Sequence, residues 1–349
     1  MRAVLDTQTS QERERIVLEY IVQNFVLTAS PIGSRTISKH IPLQLSAATI
    51  RNIMSDLEDQ GLITQPHSSA GRIPTDKGYR YYVDSLMHTE HLSTDEKQII
   101  NSVIDTKTIS DYDQIFRESS KILAKISHQI AIVSAPQLSG ASLQRVELIS
   151  LSSTRVMVVI SVSSGFVKTM MFEVETVIQQ EYLHQLESLL NERLCGLTLQ
   201  QIRESISDRM QDAQHEKSGL VRLFIVASDK LFTQRIEADK VHIDGVQSVV
   251  EQPEFGKLHT LRSIIELIED EKVIVHILES RDRDSEVMIT IGEEHADSKL
   301  QDFSFITSQY YFGPVHGTVG VIGPKRMNYA KLVSIVDYIA KMISQKYAA

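Results

Sequence analysis

Four of the chain's eight prolines, Pro31, Pro42, Pro66 and Pro74, fall in one stretch near the N-terminus and cut it into short pieces. Proline breaks a helix and pushes the residue before it out of the helical region, so only short helices and extended segments fit between them. Upstream, Thr9 and Glu12 have the spacing of a capping box, and Ile16, Val17, Tyr20 and Ile21 recur at helical intervals. Ser34–His40 reads as a second, short helix. Ser46 suits the N-cap of a third, which stops at Gly61. In that helix Ile50, Ile53, Met54 and Leu57 form one apolar stripe, and Ala48, Arg51, Asn52 and Ser55 fall opposite it. Residues 62–65 and 73–75 read as strands around a small polar loop, and Thr75 caps the next helix. Three helices followed by a hairpin predict a winged helix-turn-helix whose third helix enters the major groove.

The outer face of that third helix suits base reading. Ala48 and Thr49 are small enough to let the helix end approach the bases and touch a thymine methyl. Arg51 can grip a guanine edge or a phosphate, and Asn52 an adenine. Ser34 and Arg35 open the second helix and offer a phosphate site. Arg72 and Lys77, with Arg80 as a third cation, are expected to supply positive charge at the wing. Ser46 and Ser55 complete the predicted DNA-facing set. A protein-binding winged helix with an ordinary solvated face stays open as the alternative.

The formal net charge of −9 argues at first against a polyanionic partner. Its location weakens that objection, because residues 1–87 hold nine basic and nine acidic side chains and the whole deficit lies after Met87. The one cysteine, Cys195, allows neither a disulfide framework nor a CxxC zinc module and fits a reducing, cytoplasmic setting. No apolar run reaches membrane-spanning length, and residues 1–15 lack the apolar core of a signal peptide.

The remainder reads as an α+β body. Residues 88–97 look like a charged linker, followed by a helix with Ile115, Ile122, Leu123 and Ile126 on its apolar side. Strands are expected within 129–135 and 146–175, with a turn at Ser163, Ser164 and Gly165. Helical spacing returns over 178–216. Strand-like pieces follow at 222–227 and 240–249, a helix–strand–helix alternation over 258–279, strands at 287–291 and 304–313, and an amphipathic helix over 329–347. Gly317, Gly320 and Gly323 lack the spacing of a phosphate loop and read as a turn before that helix. His88 and His91 lack a third metal ligand, and Cys195 reads as inert packing. No enzyme motif and no cofactor or metal site is found.

Four stretches closely resemble the HrcA family of heat-inducible transcription repressors. The first runs Ser46-Ala47-Ala48-Thr49-Ile50-Arg51-Asn52 and continues through Gln65-Pro66-His67-Ser68-Ser69-Ala70-Gly71-Arg72-Ile73-Pro74-Thr75-Asp76. Upstream, Pro31-Ile32-Gly33-Ser34-Arg35-Thr36 fits the family's pattern with Ile32 in place of valine. Gln252-Pro253-Glu254-Phe255 and the segment Gly320 to Tyr329 agree later in the chain, although Lys325 and Asn328 stand where threonine and aspartate are commoner. The resemblance implies an α+β multidomain chain: a winged helix over 1–88, a GAF-like α/β domain over 89–180 and 255–349, and an inserted dimerisation domain over 181–254. It further implies a homodimeric repressor of groE- and dnaK-type chaperone operons, bound to the inverted repeat called CIRCE and kept active by the GroE chaperonin. A metabolite-responsive regulator with the GAF-like domain as sensor is the alternative.

Overall fold

The computed structural model describes residues 2–42, 45–67, 70–104, 112–136, 138–174, 179–213, 219–232, 241–256, 258–269, 274 and 286–346. They form two compact units, one of residues 1–133, 242–308 and 319–340, the other of 134–241, 309–318 and 341–349.

In the first unit, α1 (Arg2–Thr28) runs unbroken through Thr9, so the helix starts upstream of the predicted cap. It buries Val17, Leu18, Ile21 and Val22 against α2 (Ser34–His40) and α3 (Ala47–Asp59). Ser46 caps α3 as expected, its Oγ accepting from Thr49 N at 3.1 Å. The hairpin of β1 (Ile63–Thr64) and β2 (Ile73–Pro74) pairs Ile63 with Pro74 and Thr64 with Ile73. Arg72 adds a bridge to Ile32, with backbone hydrogen bonds of 2.8 and 3.0 Å. Thr75 then caps α4 (Asp76–Tyr81), accepting from Gly78 N at 3.0 Å.

Past α4 the expected linker is interrupted. Ser93 N donates to Glu96 Oε2 at 3.0 Å and Glu96 N to Ser93 Oγ at 3.2 Å, a reciprocal cap that starts α5 (Thr94–Ile104). Helix α6 (Tyr112–Ser127) buries Ile115, Phe116, Ile122 and Leu123 ahead of β3 (Ile130–Ser134).

The second unit is built on an antiparallel sheet of β4 (Leu143–Ser152), β5 (Arg155–Val162) and β6 (Val167–Glu173), turning at Gly165 with φ 81°. Val146, Leu148, Val156, Val158 and Ile160 make its buried face. Helix α7 (Gln180–Leu194) closes the β4 edge, Asn191 exchanging 2.8 Å hydrogen bonds with Val146 N and O. The other face is open, leaving Val167 and Met171 each 61 % exposed. Helix α8 (Leu199–Arg209) follows from a capping box at Thr198 and Gln201. Residues 222–227, expected as a strand, belong instead to α9 (Leu220–Val226), where Leu220, Val221 and Phe224 are buried at helical spacing. A short apolar run suits either structure, and here helical burial decides. A turn of helix, α10 (Ser228–Leu231), follows. The divisions expected at 181 and 254 do not coincide with the two units, since the strands of 143–173 share a unit with α7 and α8.

The first unit resumes with β7 (Val241–Asp244). Gly245, at φ 85°, turns the chain into α11 (Val246–Val250) where one continuous strand was expected. Helix α12 (Leu258–Glu269) follows; most of the rest of the expected alternation to residue 279 lies outside the described residues. Strands β8 (Val287–Ile291), β9 (Phe303–Phe312) and β10 (Val315–Pro324) complete a five-stranded sheet of order β7-β3-β10-β9-β8. The glycine-rich run is therefore an inner strand rather than a turn. Its glycines admit close neighbours: a Cβ on Gly320 would lie 2.5 Å from Ile306 O. Helix α13 (Tyr329–Lys346) buries Leu332, Ile335, Val336 and Ile339.

Within this unit α4 is seated on the edge of that sheet. Asp76 accepts from Lys325 Nζ at 2.7 Å and from Glu293 N at 2.9 Å. Arg80 binds Glu294 at 2.5 Å and donates to Ile289 O of β8 at 2.7 Å. Arg326 pairs with Glu254 and donates to Val26 O at the end of α1. Gly292, at φ 51°, makes room for Asp76, since a Cβ there would lie 2.0 Å from its carboxylate. Among the described residues no helix is long and apolar enough to cross a membrane.

Candidate nucleic-acid interface

The apolar stripe of α3 (Ile50, Ile53, Met54 and Leu57) is buried in the three-helix core. At 100° per residue this fixes the opposite face outward, and Ala48, Arg51, Asn52 and Ser55 are all exposed. Arg51 and Asn52 have no side-chain partner among the described residues, so their donors stay available without breaking an internal contact. Thr49 is half-buried, and its hydroxyl lies 2.9 Å from Ser46 Oγ. Both hydroxyls serve the helix cap, which leaves the Thr49 methyl as its contribution to any contact.

Arg35 is exposed on α2 and likewise has no partner among the described residues. Ser34, the first residue of α2, is buried, and no side chain caps that helix. Sequence reading passed over Lys39. It is exposed and unpaired among the described residues, and its position four after Arg35 puts both cations on one side of α2. That i, i+4 spacing was the available signal.

The three cations expected at the wing are each engaged elsewhere. Arg72 forms an ion pair with Glu58 of α3, with Nε and Nη2 at 2.9 and 2.8 Å from one carboxylate oxygen. Lys77 donates to Gln60 O at 2.9 Å, at the C-terminal end of α3. That is nine residues from Arg51, about 13 Å along the helix axis. Arg80 belongs to the seat on β8, where its hydrogen bonds to Glu294 hold its pKa above the usual guanidinium range. Outside this face, His88 and His91 are exposed, and no metal-holding group of His, Cys, Asp or Glu occurs among the described residues. Cys195 is exposed, not packed; its thiol donates to Gln144 O at 3.1 Å, and desolvation pushes its pKa up.

Fold and face together define a class: an α+β chain whose N-terminal three helices and hairpin have the element order of a winged helix-turn-helix, with Arg51 and Asn52 on the outer face of the third helix unpartnered among the described residues. Comparison with known proteins narrows the class. Residues 113–333 match the HrcA protein C terminal domain family. The heat-inducible transcription repressor HrcA of Chlorobium phaeobacteroides (strain BS1) is 41 % identical over 345 residues, covering 95 % of this chain and 97 % of the relative. The same repressor of Chlorobaculum parvum (strain DSM 263 / NCIMB 8327) is 42 % identical, over 95 % of this chain and 96 % of its own. A crystal structure of a hypothetical protein at 2.2 Å resolution shares the fold, with a TM-score of 0.59 and 23 % identity over 96 % of this chain and 98 % of that one. The chain belongs to the HrcA family.

Proposed function

We propose that this chain is a heat-inducible transcription repressor acting in the bacterial cytoplasm, whose winged helices read an inverted repeat in duplex DNA as a homodimer. Its curated relatives carry the repressor name. The observation that most directly supports the DNA-reading part is the exposed, unpartnered pair Arg51 and Asn52 on the outer face of α3. On this reading Ser34, Arg35, Ala48, Thr49, Arg51, Asn52 and Ser55 lie along the DNA-facing side, while Ser46 and Lys77 hold the two ends of α3. One such module covers too little surface for a selective site, so two-fold pairing on a palindromic operator is the physical expectation. The operator is CIRCE, upstream of groE- and dnaK-type operons. The GroE chaperonin maintains the active form until heat diverts it to unfolded proteins.

The open face of the three-stranded sheet supports self-association. Ile149 and Leu151 are 40 % and 49 % exposed beside Val167 and Met171, with the ion pairs Arg145–Glu147 and Arg155–Glu173 around them. An apolar centre with a charged border is the make-up of a protein interface. We assign the dimerisation domain to this sheet with α7, α8 and α9, and the GAF-like domain to the five-stranded sheet.

Fluorescence anisotropy with two labelled duplexes at physiological salt tests the reading. The inverted repeat of a chaperone operon should bind about a thousandfold or more tightly than a version with scrambled half-sites. Weak and equal binding that chaperonin does not improve would overturn it. A second reading, effector binding, is favoured by a cleft of about 610 Å³ lined by Phe25, Ile73, Lys77 and Glu293, beside the buried hydroxyl of Tyr79, which has no hydrogen-bond partner among the described residues. Its mark would be a small metabolite that raises the melting temperature.

A further inference from the structure

Arg72 stands in the wing, where a cation would ordinarily be credited with a phosphate. Its guanidinium instead converges on Glu58, in the last turns of α3, and the two side chains are only 22 % and 34 % exposed. The backbone at the same point is tied twice to Ile32, just ahead of α2. Gly71 makes that approach possible, because a Cβ there would lie 2.4 Å from the Ile32 carbonyl. Residues 71 and 72 thus join the hairpin to the segment entering α2 through the backbone and to α3 through a side chain.

We infer that Arg72 and Glu58 form a positioning pair that sets the wing against the reading helix, and that Arg72 is not a phosphate contact. The inference rests on the DNA-binding reading above and assigns a role to Glu58, which that reading leaves without one. The two possible roles of Arg72 predict opposite behaviour of its partner. If Arg72 held a phosphate, the neighbouring carboxylate would repel DNA, and removing its charge would tighten binding. In a positioning pair, losing either partner loosens the same contact and weakens binding alike.

The test measures operator affinity at several salt concentrations for the full-length wild type, Arg72→Ala, Glu58→Gln and the charge swap Glu58→Arg with Arg72→Glu. Both single variants should weaken binding by about threefold to thirtyfold, inside the range of coupled pairs. The slope of log affinity against log salt should stay unchanged, and the swap should recover part of the loss. Tighter binding by Glu58→Gln, together with a slope shallower by about 1.8 (two contacts per dimer) in Arg72→Ala, would overturn the inference.

A readout without DNA separates this outcome from failure of the DNA-binding reading itself. The bridge amides of Ile32 and Arg72 should exchange hydrogen faster in both single variants, whatever the protein binds. Unchanged protection there would also overturn the pair's positioning role.

Discussion

At the scale of single side chains, Arg51 and Asn52 differ from Arg72 and Arg80 in having no side-chain partner among the described residues. A group that is already paired must surrender a contact to bind something else, and a free one need not. Arg51→Ala or Asn52→Ala should therefore cost about 1–3 kcal/mol of operator affinity and relax base preference at one position of each half-site. Arg35→Ala should instead weaken all duplexes alike and, with two copies in the dimer, flatten the salt slope by about 1.8. Wild-type affinity and selectivity in Arg51→Ala would mean that another element reads the bases. The sequence made this face legible because buried and exposed positions alternate with the helical period, and Ser46 marks where the helix begins. It could not reveal the partners of Arg72, Lys77 and Arg80. Glu58 and Gln60 are local in space but not in helical register with them, and Glu294 lies more than two hundred residues away.

At the scale of elements, strong local punctuation was readable and tertiary choice was not. Ser34–His40, the Ser46 cap, the hairpin around the small polar loop and the turn at Gly165 all follow from side chains that act on their own backbone. Residues 222–227 have no such signal, and burial of Leu220, Val221 and Phe224, the last against Phe172 of β6, settled them as helix. The β10 glycines misled for a physical reason. Glycine most often marks turns, yet at Gly320 it admits the neighbouring backbone of β9. The outer face of β6 carries its own prediction. Met171→Glu places a charge amid the exposed apolar patch and should shift the protein from dimer to monomer in sedimentation at micromolar concentration, with melting temperature little changed because the residue is 61 % exposed. A dimer that persists unchanged would move the interface elsewhere.

At the scale of the whole molecule, pH should act on the first unit through two groups. His295 is buried against Phe305, and desolvation lowers its pKa, so the ring is held neutral in the folded protein. Its unfolded counterpart takes up a proton near about pH 6.5, so stability present above that pH is lost as pH falls through it. Glu96 acts at lower pH. Its bonds to Lys331 and Ser93 hold its carboxyl at about 2, and the stabilisation fades from about pH 4.3 downward. Melting curves should show a first decline below about pH 6.5 that His295→Gln flattens. An identical decline in that variant would assign the loss to another group.

The seat of α4 has a further consequence for how such a chain can be taken apart or reshuffled. Tyr79 is 2 % exposed beside Tyr329, Asp76 answers Lys325, and Glu90 accepts from Asn328 at 3.2 Å. Lys325 and Asn328, two of the positions where the sequence departs from the commoner family pattern, both contact the N-terminal segment here. A fragment cut at residue 88 would uncover Tyr79, strand Asp76 without Lys325 and leave Arg80 with Asp84 but without Glu294. The winged helix is thus not a portable cassette. Recombination that moved it onto another body would have to carry residues 292–294 and 325–329 with it, which ties the inheritance of the reading head to the part of the gene that encodes the sheet.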